Sequence, residues 1–220
     1  MGTAFAEVSV KGWLGVGAVL VFLGVLMFGL SSGLLGEVRP WEPLALQYGA
    51  RNGVAAIVLG SRLYDTLLEV LVFALAMVGV RYTLRPLGRW PQPVIPERGV
   101  VREMADLLLP VVLVFAVYLA ASGHLGPGGG FPAGAIAGTG LLLLALAKGV
   151  EQLSRELHEG TLEFLKYGSI ALLFLLGVVG HLGNTSGGGL LVLYNLLIGL
   201  EVTIGTWVVL HYFAVHRGEL

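Results

Sequence analysis

Long apolar runs, separated by short polar or glycine-rich connections, dominate the chain. Six of these runs come close to the length of about 20 residues that a helix needs to cross a bilayer, so each predicts one transmembrane helix. This pattern predicts an all-α integral membrane protein with about six transmembrane helices. The predicted spans are Trp13–Leu35, a run within Val54–Tyr82, Asp106–Gly123, Phe131–Gly149, Leu162–Leu182 and Gly189–Phe213.

Composition points to a membrane protein as well. Of the 220 residues, 56% are hydrophobic and 12% are charged, whereas about 25% of the residues in a soluble domain are charged. The chain has no cysteine, which excludes disulfides, thiolate metal sites and cysteine catalysis. No zinc-helix, dinucleotide or P-loop motif occurs, so we expect no catalysis, metal or cofactor in this chain alone. The net charge of −1 gives no indication of nucleic-acid binding.

Lysine and arginine are distributed unevenly among the connections. If the spans alternate in direction, the side with both termini receives ten basic residues and the other side only Arg39 and Arg51. Cytoplasmic connections are the basic ones, so we predict both termini in the cytoplasm and the loop 126–130 outside. We divide the chain into a two-span module (1–83), a cytoplasmic connection rich in proline and arginine (84–104) and a four-span domain (105–220).

Three charged residues lie at the start of the second apolar run. Arg62, Asp65 and Glu69 are spaced i, i+3, i+7 and so share one helix face. Asp65 and Glu69 repel each other when both are ionised, and a cation, a proton or Arg62 would relieve that repulsion, as in an ion or proton site. Alternatively, Thr66 and Glu69 form a capping box, or the span is broken near Gly60, which would itself indicate function.

Three further ionisable residues fall within or beside later spans. Glu201 lies near the middle of the sixth span, where we favour a partner or pathway role; the alternative is a protonated glutamate with one hydrogen bond to a neighbouring helix. Lys148 and Lys166 lie at predicted cytoplasmic helix ends. For them we favour snorkelling to the interface, with a proton relay as the alternative, and Glu163 is placed to pair with Lys166 at i, i+3.

Two histidines end the third and fifth spans on the predicted outer side. We interpret His124 and His181 first as satisfied polar residues at helix ends. Proton transfer is the second interpretation, because histidine titrates near neutral pH. The third is a haem held between the two rings, which would make the chain a small membrane cytochrome.

A glycine-rich stretch, HLGPGGGFPAGAIAG at 124–138, separates the third and fourth spans. Glycine and proline disfavour a continuous helix here, so the chain turns tightly and allows another backbone or a ligand to approach closely. A helix can restart just after the turn, because Pro132 is tolerated in a first helical turn. The residues that define the motif are Gly126, Pro127, Gly128, Gly129, Gly130, Phe131 and Gly134.

GPGGGFPAGAIAG resembles the signature of the MnhB/MrpB family, membrane subunits of multisubunit cation/proton antiporters and of related membrane-bound hydrogenase complexes. The family stretch runs close to GGGFQAGA, so Pro132 departs from the usual glutamine. The run 52–76 is similar to a second family module, close to T-A-I-(V/I)-L-D-x-R-x-(Y/F)-D-T-L-G-E. Here Gly60 replaces the aspartate and Leu68 the glycine. Together the two motifs extend the resemblance over most of residues 50–215.

The resemblance implies that this chain does not transport alone. Its partners would be large antiporter-like subunits and other small membrane subunits in a prokaryotic cell membrane, and the transported ions would be Na⁺ and H⁺. The alternative is the same module in a redox-driven complex, such as a hydrogenase, formate hydrogenlyase or sulfur reductase, with the redox centres on other chains. We predict Asp65, Glu69 and Glu201 as pathway carboxylates, with Arg62 tuning them.

Overall fold

The computed structural model describes residues 40–86, 99–182 and 187–216. The first predicted span, Trp13–Leu35, and most of the connection 84–104 lie outside these residues. A π-helical segment, Ala56–Ser61, lies between the second and third α-helices. In chain order the α-helices are α1 (Glu42–Tyr48), α2 (Gly53–Ala55), α3 (Leu63–Leu84), α4 (Val100–Ser122), α5 (Gly130–Lys148), α6 (Val150–Glu156), α7 (Glu159–Leu182) and α8 (Gly188–His216).

Five of the described helices are long and apolar enough to cross a membrane: α3, α4, α5, most of α7, and α8. They confirm the second to sixth predicted spans, most of whose ends agree within a few residues. The described residues form helices and no strand, so the all-α class is confirmed. The chain is therefore a multi-pass membrane protein.

The bundle is built around α5 and α8, each of which is half buried. α4 packs mainly against α5, while α3 and α7 pack against α8 and against each other. Among these five helices α4 is the least covered, since only 17% of its apolar stretch is buried. The described parts of the predicted modules 1–83 and 105–220 thus contact each other directly, and the division between them stays a prediction.

The second span is interrupted at Arg62. The backbone leaves helical geometry there, with φ −115° and ψ 28°. This break lies two residues after Gly60, near which one interpretation of the sequence placed it. The Thr66 hydroxyl donates a hydrogen bond to the Val58 carbonyl at 2.8 Å, across the π-helical segment. The capping-box alternative is wrong, because α3 begins at Leu63 and Thr66 lies inside it. Glycine at position 60 avoids a collision with the Tyr48 ring, which a Cβ would approach to 2.5 Å.

Candidate ion-pathway site

α8 crosses the centre of the bundle, and several of its polar side chains are buried there. Asn195, Glu201 and His216 are 3%, 1% and 4% exposed. Burying a polar or charged group costs free energy unless a partner compensates for the lost water. The groups around these three side chains therefore define the candidate site.

Glu201 is the most deeply buried ionisable group in the part of the chain that the structure describes. Neither of its carboxylate oxygens has a hydrogen-bond partner among those residues. The basic group that interacts with it electrostatically is Lys166 on α7, which is itself 6% exposed. Opposite charges attract each other more strongly in a protein interior than in water. The structure thus brings together two predicted residues that are 35 positions apart.

A cavity of about 100 Å³ continues from Lys166 towards one end of the bundle. Its wall includes an ion pair between Arg81 on α3 and Glu163 on α7. The expected pair between Glu163 and Lys166 is therefore wrong: Glu163 reaches across to α3 instead. This end holds the end of α3 and the start of α7, so it is the predicted cytoplasmic side. The other polar lining residues are Ser154, Tyr167, His211, Tyr212 and His216.

Aromatic rings line the last three turns of α8 beside this cavity. The ring centroids of Trp207 and His211 are 5.3 Å apart, and the Tyr212 and His216 rings stack at 6.1 Å. Nδ1 of His216 lies 2.8 Å from the Tyr212 carbonyl oxygen. Carboxylate, ammonium and imidazole groups all exchange protons. Such groups run from the middle of α8 to its end, an arrangement that can accept, hold and release protons.

At the opposite end of the bundle, Asn52 holds the glycine-rich loop. Its side-chain Nδ2 donates hydrogen bonds to the carbonyl oxygens of Gly123 and Gly126, at 2.9 and 2.8 Å. The backbone N–H groups of Arg51 and Asn52 both donate to the His124 carbonyl. These bonds join the segment before α2 to the connection between α4 and α5.

The loop needs glycine where its backbone becomes left-handed. Gly128 and Gly129 have φ of 157° and 124°, values that a side chain disfavours. The Gly129 N–H donates to the Leu119 carbonyl at 2.9 Å. The next N–H, of Gly130, donates to Oδ1 of the buried Asn195 at 2.9 Å, which anchors the start of α5 to α8.

Three glycines on one face of α5 let α8 approach closely. Added Cβ atoms at Gly130, Gly134 and Gly138 would lie 2.5–2.6 Å from atoms of α8. Small residues at a spacing of four permit such contacts between membrane helices. The close approach that the motif predicts is thus observed, with α8 as the partner. Phe131 packs against the core, whereas Pro132 is exposed.

Asp65 and Glu69 lie on the outer face of α3, away from Glu201, and Arg62 lies just before this helix. Nε of Arg62 donates to Oδ2 of Asp65 at 2.6 Å, in an ion pair whose side chains are 68% and 51% exposed. Glu69 is exposed and forms no ion pair with another described residue. The predicted pathway carboxylates therefore form two separate groups, one inside the bundle and one outside.

The remaining predicted residues lie at helix ends. Nζ of Lys148 is 2.6 Å from Oδ1 of Asp106, an ion pair between α5 and α4. Nδ1 of His124 lies 3.0 Å from the Ala121 carbonyl oxygen. His181 lies one residue before the end of α7, and its side chain is outside what the structure describes. A haem held by the two histidines stays a prediction.

Arg81 and Asn52 belong to these sites although no motif marks them. In the sequence Arg81 looks like an ordinary arginine at a cytoplasmic helix end, which hides its pairing with Glu163. Asn52 is a typical N-cap residue, and its Oδ1 accepts a hydrogen bond from the Val54 N–H at 3.0 Å. No local pattern could have revealed its bonds to a loop more than 70 positions away.

Comparison with known proteins is consistent with this architecture. Residues 100–210 match the family described as "Domain related to MnhB subunit of Na+/H+ antiporter". The fold is similar to that of a chain of the membrane-bound sulfane sulfur reductase, an archaeal respiratory membrane complex. That chain is 25% identical, with a TM-score of 0.66 over 93% of this chain and 98% of the other. No curated protein sequence matches.

Proposed function

The chain belongs to the MnhB family, and we propose that it serves a multisubunit antiporter module that exchanges Na⁺ for protons across a prokaryotic cell membrane. The family match and the similarity to a chain of a respiratory complex support a membrane subunit of an antiporter-like module. The chain works there with other membrane subunits. Its own contribution is one segment of the proton pathway.

The burial of Glu201 beside Lys166 carries this proposal. An ionisable side chain inside a membrane helix is costly, and such residues usually serve ion or proton movement. The cavity below Lys166, with the Arg81–Glu163 pair in its wall, supplies a polar route towards the end of the bundle. Protons enter or leave along this route and reach Glu201 through Lys166.

The surroundings of Glu201 favour a proton over Na⁺ as its ligand. A hard cation prefers several oxygen ligands at once, and no group of three or more His, Cys, Asp or Glu side chains among the described residues could hold a metal ion. The charged group that acts on Glu201 from a neighbouring helix is the ammonium of Lys166, because Arg81 is paired with Glu163. An ammonium group beside Glu201 competes with a metal cation for the carboxylate, whereas it still permits proton exchange between carboxylate and ammonium.

The test is proton transport by the assembled complex in membrane vesicles. We expect Glu201→Gln to slow Na⁺-driven proton transport by about 100-fold, the lower range for losing a positioned acid–base group, because an amide cannot carry the proton. Glu103→Gln is the matched control, since Glu103 is exposed at the start of α4. Transport equal to that of the control, with normal assembly of the complex, would contradict the proposal.

A second candidate function is the same module coupled to electron transfer. It is favoured by the similarity, over nearly the whole length of both chains, to a chain of the membrane-bound sulfane sulfur reductase. In that case the redox centres lie on partner chains, and electron transfer drives ion movement through this one. Metal analysis of the purified complex separates the two candidates: stoichiometric iron or nickel indicates the redox-driven complex, and its absence a stand-alone antiporter.

A further inference from the structure

The outer face of α3 carries charge where the outer face of α4 does not. Asp65, Leu68, Glu69, Val72 and Leu75 are all exposed along α3. We call these five residues the α3 face. The exposed side of α4 from 107 to 121 contains no charged residue. Lipid chains are as apolar as leucine, so lipid can cover α4 but is a poor solvent for the α3 face.

Contacts on both sides of Glu69 place it within the membrane-crossing part of the bundle. Leu67 packs on Gly177, which lies five residues before the end of α7, and Met77 packs on Gly205 of α8. Glu69 lies between these two contacts along α3. At 1.5 Å per residue it is about 9 Å from the start of the helix. Its carboxylate therefore lies at the depth of the surrounding spans.

We propose that another subunit of the complex covers the α3 face with a transmembrane helix that places a lysine or arginine opposite Glu69. The Arg62–Asp65 ion pair is internally neutral, so Glu69 is the group on this face that lacks a counter-charge among the described residues. A basic side chain supplies that charge, and the flanking Leu68 and Val72 supply apolar contact area. Ionisable residues in membrane proteins usually face other protein or a water-filled cavity.

A second copy of this chain does not fit the same surface. Membrane homodimers are related by a twofold axis along the membrane normal, so the same patch meets itself at the same depth across the interface. Two Glu69 carboxylates would then face each other and repel. A partner of different sequence avoids this conflict. This inference depends on the membrane placement of α3 and not on the proton pathway at Glu201, so each can fail without the other.

Site-specific photocrosslinking in the purified complex tests the proposal. A benzophenone amino acid replaces Leu68 or Val72 on the α3 face, and Val111 or Val114 on α4 as matched controls. We expect crosslinks from the α3 positions to a transmembrane peptide of another subunit that contains lysine or arginine, and none from α4. Crosslinks to lipid alone, to the segment 1–39 of this chain, to a second copy of this chain, or to a peptide without a basic residue would overturn the proposal.

Charge reversal provides the second measurement. We expect Glu69→Lys to reduce recovery of that partner by roughly 30-fold, the lower range for breaking a buried charge pair between proteins. Exchange of the crosslinked basic residue for glutamate should restore recovery. A general folding defect would lower the yield of this chain itself and would not be corrected by the second exchange. Recovery unchanged by Glu69→Lys would count against a charge pair at this interface.

Discussion

Glu201 and Glu69 are both glutamates on membrane-spanning helices, but their surroundings are opposite. Glu201 is 1% exposed and has Lys166 as its electrostatic partner inside the bundle. Glu69 is exposed on α3 and has no ion-pair partner among the described residues. For Glu201 the cost of placing a charge away from water is offset by another described residue, whereas for Glu69 no described residue offsets it.

A carboxylate in an apolar helix can therefore face either the interior of its own subunit or a surface of it. One faces inward, and we propose that it serves transport within its own subunit. The other faces outward, and we propose that it specifies a neighbouring subunit. Because α3 packs on α8 and α7 with its opposite side, the two glutamates cannot meet, and the complex can change one role without the other.

The largest expected effect comes from breaking the inner pair. Lys166→Met leaves Glu201 buried without its counter-charge, and we expect the free energy of unfolding in detergent to fall by about 3 kcal/mol. The double variant Glu201→Gln, Lys166→Met should recover much of this loss, because it removes both charges. Arg62→Met is the control, since its exposed ion pair contributes at most about 1 kcal/mol. Equal losses for Lys166→Met and Arg62→Met would remove the distinction between inner and outer charges.

Much of the fold could be predicted because each span is a local property of the chain. The apolar runs determine where α4, α5, α7 and α8 lie, and the break before α3 is indicated by charges beside Gly60. The proximity of Glu201 and Lys166 could not be predicted, because it depends on how α8 packs against α7. Spacing likewise placed Arg62, Asp65 and Glu69 on one face of a helix, but could not say whether that face points inward.

The glycine motif likewise predicts a close contact without identifying the helix that makes it. Its glycines predict that another backbone or a ligand approaches this stretch closely, and α8 does. Which helix approaches could not be predicted, because it depends on a contact that is distant in sequence: Asn195, which anchors Gly130, lies 65 positions away. The hydrogen-bond donors that hold the loop, above all Asn52, carry no pattern that links them to it.

A smaller effect should distinguish inner from outer positions without any charge. Gly134→Ala places a methyl group 2.5 Å from Cβ of Val202 and 2.7 Å from the Gly199 carbonyl, so we expect a loss of about 2 kcal/mol in the free energy of unfolding. Gly168→Ala on the exposed side of α7 meets nothing within 4 Å and should gain about 0.5 kcal/mol. Thermal unfolding of the two variants in the same detergent measures both the expected loss and the expected gain in stability. A stabilised Gly134→Ala would show that α5 and α8 pack less closely.

The replacement of Glu69 by glutamine should have little effect on the stability of the isolated chain. Glu69→Gln in the isolated chain should change the free energy of unfolding by no more than about 0.5 kcal/mol, because no described residue pairs with this carboxylate. Thermal unfolding in detergent, beside Lys166→Met, measures it. A loss of more than about 2 kcal/mol, the size expected for a disrupted buried pair, would show that Glu69 has its partner within the chain. A silent Glu69→Gln in the isolated chain, combined with partner loss on Glu69→Lys in the complex, places its counter-charge on another subunit.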